Sequence, residues 1–415
     1  MPVIQLPATA LRVGQPVPVA LRDAAGHLLV PRGAMVESEE RLAQLISRGI
    51  FVDEGEGQQF KKAMAQKVDS LLRSNVRLGQ IAKAQIDAPI APSAASAAAP
   101  NDTDALATGV RKRAGDPIGA LNSLLLRASA LLHDPQAADF AARVAKIDAE
   151  LLDMLNGDAD AVLLMLIHSS TRETHKYSVS HALLVSAICE LAARHIPLWT
   201  GDHRVALRYA ALTMNIAMTE LQNQLVMQED PLSARQRDIV DHHAVRGAEM
   251  MRGFGVSNEL WLQAVQFHHA SPSGPLAELP PTQQLARLLQ RSDIFAARLS
   301  PRHKRQALSA SAAARAAYLD EEKKADESGS AIVKALGIYP PGSFVQLANA
   351  EIAVVLRRGR RATEPLVASI VSKSGTPMGV PAVRDTRMPV FAISAGVAPH
   401  DVRVRLNIET LLQLF

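Results

Sequence analysis

The chain has 415 residues, 48% hydrophobic and 21% charged, which suits two or three domains of ordinary globular composition. Collagenous, disordered and disulfide-scaffold classes are excluded, and the single cysteine, Cys189, leaves no internal disulfide and fits a reducing compartment. A formal charge of +4 and an aromatic content of 4% give neither the clustered basic stripe nor the stacking platforms of a nucleic-acid reader. No run reaches the roughly 18 apolar residues of a membrane helix. The N-terminus lacks the pattern of a secretory leader, so a cytoplasmic location is expected.

Residues 1–58 read as a small β-rich domain. Val17 to Leu21 and His27 to Val30 are strands split by the turn residues from Asp23 to Gly26; Glu39 to Arg48 is a short helix, and Ile50 to Val52 a last strand. Residues 59–87 form a helical connector, and 88–116 an Ala/Pro/Ser-rich linker. From 117 to 336 the chain reads as helices. Leu121, Leu124, Leu125, Ala128, Leu131 and Leu132 recur with the helical period, as do Val144, Ile147, Leu151, Leu152 and Leu155. Further helices are expected at 158–170, 175–195, 203–224, 233–254, 257–269, 281–298 and 309–319. After the Tyr339-Pro-Pro-Gly342 turn the period becomes two, giving a C-terminal antiparallel β domain over 337–415. Its strands are Phe344 to Leu347, Ile352 to Leu356, Leu366 to Val371 and Val390 to Ser394, with Glu351 an exposed strand start and Leu406 to Phe415 closing the domain with a short helix. The run Arg357-Arg358-Gly359-Arg360-Arg361 reads as a solvated turn.

The candidates for chemistry are imidazoles and carboxylates on the helical block. His168, His175 and His181 precede or open one helix, His242 and His243 share another, His268 and His269 end a third, and Asp293 lies on the next. Histidines and an aspartate on neighbouring helices can converge inside a bundle, which is how helical proteins build metal sites, and imidazole with carboxylate suits iron, manganese or zinc. The dipeptide His133-Asp134 is followed by Pro135, which makes it a helix end.

The order of these residues resembles the HD-GYP family, helical phosphodiesterases of the HD superfamily that hydrolyse cyclic di-GMP. Tyr177-Ser-Val-Ser-His181 is similar to the family's first metal-histidine helix, Gln236-Arg-Asp-Ile-Val-Asp-His242 with Gly247 and Met250 to the next, and Trp261-Leu-Gln-Ala-Val-Gln-Phe-His-His269 to its His-His helix. Ala286-Arg-Leu-Leu-Gln-Arg-Ser-Asp293 with Ser300-Pro-Arg302 resembles the helix carrying the last metal aspartate. The resemblance implies a mainly α fold, an HD-type bundle between the two β domains, with His181, His242, His268, His269 and Asp293 as metal ligands.

The departures fall at the centre. Where the family has its His-Asp dipeptide this chain has Met214-Asn215, and where the family has the following lysine it has Met218. The Gly-Tyr-Pro loop is replaced by Ser273-Gly274 and Pro275-Leu276-Ala277. Asparagine is a poor bridge between two ions and methionine too soft a ligand for iron or manganese. The paired-ion mechanism is therefore broken, while three imidazoles can still hold one divalent ion, iron, manganese or zinc. Three functions stay open: a catalytically degenerate regulator or binding module linked to cyclic di-GMP, an active metal-dependent phosphodiesterase, and a non-catalytic interaction scaffold. The candidate partners are cyclic di-GMP, a signalling protein and a second copy of the chain.

Overall fold

The computed structural model describes residues 3–5, 17, 19–23, 28–30, 34–35, 38, 40, 50–53 and 116–415, except 137, 173–176, 198, 271, 273, 303–304 and 320–323. The expected connector at 59–87, nearly all of the linker, most of the helix at 39–48 and His175 lie outside the described residues. The chain divides into two compact units, 1–108 and 109–415, so the helical bundle and the C-terminal sheet belong to one unit.

The first unit holds a four-stranded antiparallel sheet in the order β1-β4-β2-β3: β1 Val3–Gln5, β2 Leu21–Arg22, β3 Leu28–Val30 and β4 Phe51–Asp53. Val17 and Val19, expected in a strand, are buried, and among the described residues of that run only Leu21 is a strand residue. β1 was not legible in the sequence; it pairs with β4 through Ile4 opposite Val52.

The second unit opens with α1 (Pro117–His133). Asp116 caps it by accepting the Ile118 and Gly119 N–H groups at 3.1 and 2.9 Å, and Pro117 occupies the first turn, where no N–H is needed. Its buried face is the leucine stripe of the sequence, Leu121 to Leu132. α2 (Phe140–Arg172) contains the two expected helices, which meet at a kink where Asp158 leaves helical φ and ψ. There the Asp158 carboxylate accepts the Ala161 N–H at 3.1 Å, recapping the second half.

α3 (Tyr177–Ala193) is the axle of the bundle, buried at every residue. An all-apolar helix belongs in the interior, and α3 is one apart from a few serines, His181 and Glu190. The Glu190 carboxylate is fully buried and is met by Arg204, by Arg194 at 3.0 Å and by Arg208 at 2.7 Å; Arg208 also forks onto Asp148 at 2.7 and 2.9 Å. Burial pushes the Glu190 pKa up, but the three guanidiniums outweigh it and the net shift is downward.

The expected helix at 203–224 is split: α4 (Gly201–Thr213), a single 3-10 turn at Ile216–Met218, then α5 (Thr219–Met227). α6 (Ala234–Gly253) starts in a capping box between Ser233 and Gln236, and α7 (Glu259–Gln266) starts where Asn258 caps the Trp261 N–H at 3.1 Å. α8 (Pro281–Leu299), α9 (Ala310–Tyr318) and α10 (Glu327–Leu336) complete the bundle. The two tryptophans are buried and donate their indole N–H groups, Trp199 to Gln284 at 2.8 Å and Trp261 to Thr213 at 2.9 Å.

The C-terminal sheet runs β8-β7-β6-β5-β9, antiparallel throughout: β5 Phe344–Leu347, β6 Ile352–Arg357, β7 Leu366–Val371, β8 Pro377–Asp385 and β9 Ile393–Val397. The long edge strand β8, with an alternating and largely exposed pattern, was missed in the sequence. One sheet face meets α2 through Leu164, Phe344, Val354 and Leu356, and α11 (Ile408–Leu412) covers its end. Gly342 makes that docking possible: its φ is +89°, and a Cβ there would sit 2.9 Å from the Leu164 carbonyl oxygen. Glu351, expected to be exposed, is half-buried and gripped by Arg384 at 2.9 and 3.1 Å. Among the described residues no helix is long and apolar enough to cross a membrane.

Candidate metal centre

The middle of α6, through His243, and the segment just beyond α7, through His268 and His269, present three imidazoles to one another. His243 Nε2 lies 3.3 Å from His268 Nε2 and 3.2 Å from His269 Nε2, and all three ligand atoms fall within 4.8 Å. His243 and His268 are buried, and His269 stands at the mouth, exposed.

The other ring nitrogen fixes the tautomer. His243 Nδ1 donates to the Val240 carbonyl at 2.6 Å, and His268 Nδ1 donates to the Val265 carbonyl, also at 2.6 Å. A carbonyl only accepts, so both Nδ1 atoms carry the proton and both Nε2 atoms are bare when the rings are neutral. Burial, followed by the neighbouring imidazoles, drives the His268 pKa down to about 3; burial first lowers that of His243 as well. At neutral pH two lone pairs therefore face each other at 3.3 Å with no proton between them. A divalent cation placed between them would satisfy both lone pairs. With metal–nitrogen bonds of about 2.0–2.1 Å, the edge of a tetrahedron is about 3.3 Å, and the observed separations are 3.2 and 3.3 Å. Backbone carbonyls holding the distal N–H are also the usual outer partners of metal-bound histidine.

His242, the ligand position implied by the resemblance, is not part of this group. Its imidazole is exposed and lies 3.1 Å from the Asp238 carboxylate, which Arg246 also engages at 2.8 Å. The adjacent His243 turns inward instead. Asp238, His242 and Arg246 recur every four residues along the wet side of α6, whereas His243, Gly247 and Met251 recur every four along the dry side. That phase was readable in the sequence and identifies His243. Gly247 lets α6 approach closely: a Cβ there would already touch Ile216 at 3.4 Å and Val265 at 3.7 Å.

His181 and Asp293 form a second group. His181 Nε2 donates to Asp293 Oδ1 at 2.7 Å, a hydrogen-bond length shorter than the ligand edge above. Tyr177 stacks on the ring with centroids 5.3 Å apart, and Arg302 reaches the Tyr177 hydroxyl at 3.4 Å. Burial raises the Asp293 pKa, but the His181 hydrogen bond and the charges of His181, His268 and His269 prevail and hold it at about 2. His181 Nδ1 is buried without a hydrogen-bond partner.

Met214, Asn215 and Met218 occupy the break between α4 and α5. Met214 is a core residue, 1% exposed, packed within the main hydrophobic cluster; Asn215 and Met218 are half-buried. Where the family would have an imidazole and a bridging carboxylate, this chain has a thioether in the core and a neutral amide. His168 is half-buried on α2, and its carbonyl accepts the Thr171 hydroxyl at 2.8 Å.

No known protein-family profile matches this sequence, and no curated protein matches it. Among solved structures the chain is similar to one described as an HDG"Y"P protein from Bdellovibrio bacteriovorus, with 14% identity and a TM-score of 0.41 over 80% of this chain and 98% of that one.

Proposed function

We propose that the chain is a catalytically degenerate relative of the HD-GYP proteins, holding one divalent ion on His243, His268 and His269 and acting in signalling as a binding module rather than as a phosphodiesterase. The observation that carries this reading is the pair of bare Nε2 atoms facing each other at 3.3 Å, each ring pinned by a backbone carbonyl. The ordered series of histidines and Asp293 quoted above supplies the family part of the proposal.

Val240 and Val265 orient two of the donors, and His269 offers the third from the solvent side. Iron, manganese or zinc suits three imidazoles with an open position. An ion bound there would supply Lewis acidity toward an anionic ligand such as the phosphodiester of cyclic di-GMP. Asp293 stays ionised behind the histidines and keeps His181 oriented through its hydrogen bond. Hydrolysis by the family's route needs a second ion to share the clamp on the phosphate, and Met214 with Asn215 offers neither an imidazole nor an anionic bridge for it. A signalling protein or a second copy of the chain would then read the bound state.

The test is elemental analysis of protein purified without chelator or nickel resin, followed by a cyclic di-GMP turnover assay with added manganese or iron. One ion per chain without turnover is expected. Two ions with turnover abolished by His268→Ala would replace this reading with an active enzyme, and no ion under any loading condition would remove the metal from it.

A further inference from the structure

The basic run around Gly359, which reads as a solvated turn in the sequence, lines a cavity. The connection between β6 and β7, the end of α10 and His195 just beyond α3 border an open cavity of about 350 Å³, a volume in the range of small-molecule sites. His195, Lys334, Arg358, Arg360 and Arg361 line it, against one carboxylate, Asp160.

Two of these cations are already committed. Arg358 pairs with Asp160 and donates to the Ala335 carbonyl at 2.7 Å, which also satisfies the end of α10; Arg361 pairs with Glu364 at 3.0 Å. Lys334, Arg360 and His195 have no side-chain partner among the described residues. The cavity therefore keeps the full charges of Lys334 and Arg360 uncompensated. Lys334 stands on α10, and the loop presenting Arg360 is fixed. A Cβ on Gly359 would collide with the Glu364 carbonyl oxygen, and the Ile338 N–H donates to the Ala362 carbonyl at 3.1 Å, tying the loop to the chain leaving α10. Tyr339 adds a half-buried aromatic wall. Burial raises its pKa, which keeps the hydroxyl a neutral donor.

We propose that this cavity binds a phosphate ester of nucleotide size, its dianionic phosphate held by Arg360 and Lys334 and its organic part against Tyr339. A guanidinium fork beside an ammonium matches phosphate oxygens in both charge and geometry. The site is separate from the histidines: from His181 to the end of α3 at Ala193 the helix runs about 18 Å.

The test is calorimetric titration of the full chain with ATP without added magnesium, and with adenosine and inorganic phosphate. ATP binds one to one, adenosine does not bind, and phosphate binds more weakly than ATP. Lys334→Gln with Arg360→Gln lowers the ATP affinity at least tenfold and flattens its salt dependence, while Arg360→Lys keeps most of it. Both side chains are exposed, so an unchanged thermal midpoint verifies folding of the double variant. His268→Ala leaves ATP binding unchanged. No ATP binding up to about 1 mM, equal affinity in the double variant, phosphate as tight as ATP, or loss of binding in His268→Ala would each overturn the proposal.

Discussion

The two histidine groups of this bundle contain the same kind of side chain and use its two ring nitrogens in opposite ways. His243 and His268 give their Nδ1 protons to carbonyls, so their bare Nε2 atoms converge. His181 instead directs its Nε2 at Asp293 and holds a proton there. In the first group two lone pairs face each other, whereas in the second a hydrogen bond joins imidazole and carboxylate. Which nitrogen a histidine spends on its scaffold decides this, more than whether a histidine is present at a ligand position.

The strongest challenge to that contrast is a pair of alanine variants. His268→Ala is expected to weaken zinc or manganese binding by more than about 100-fold, beyond the range seen for outer-sphere partners, while His181→Ala stays within about tenfold. Titration calorimetry with metal content by elemental analysis reads both, and equal losses would mean one shared site. In stability the order reverses for the second group. His181→Ala strips the buried donor from an ionised Asp293, which costs about 1.5–3 kcal/mol, read from urea unfolding of the metal-free protein.

The contrast also has a pH signature. The His268 pKa is held at about 3, below its ordinary 6.5, so the unfolded chain binds a proton that the folded chain refuses. Stability of the metal-free protein is therefore full above about pH 6.5 and falls as the pH drops toward about 3. Urea midpoints across that window should show the slope, and His268→Ala should flatten it; an unchanged slope would place the buried charge elsewhere. The smallest effect belongs to His242. Its exposed pair with Asp238 makes His242→Ala worth at most about 0.5 kcal/mol, with metal content unchanged.

The helical core was largely legible because long apolar periods are local. The leucine stripe of α1 required no tertiary information. The expected helix at 203–224 failed for a tertiary reason: the chain turns at Asn215 although no glycine or proline marks the break. β8 was obscured by its position on an exposed sheet edge, where its apolar residues Val380 and Val383 cover no core. His181, His268, His269 and Asp293 all lie in the two groups, whereas His242 lies outside them, because similarity of segments carries no helical phase. Counting four residues to Gly247 and Arg246 separates the dry histidine from the wet one. The pairing of His181 with Asp293, and the meeting of His243 with His268 and His269, depend on long-range contacts that no local pattern encodes.

The hydrogen bond from Trp261 to Thr213 has an optical consequence. The chain has two tryptophans, and both are dry, so native emission should lie to the blue of a solvated indole. Trp261 belongs to the helix that ends in the His268-His269 pair and is tethered to the residue before Met214. Trp199 is anchored separately, to Gln284. A paramagnetic ion loaded at the histidines is expected to dim the first emitter and leave the second as an internal reference. With a paramagnetic ion bound at the proposed site, the two indoles would together serve as a label-free gauge of its occupancy.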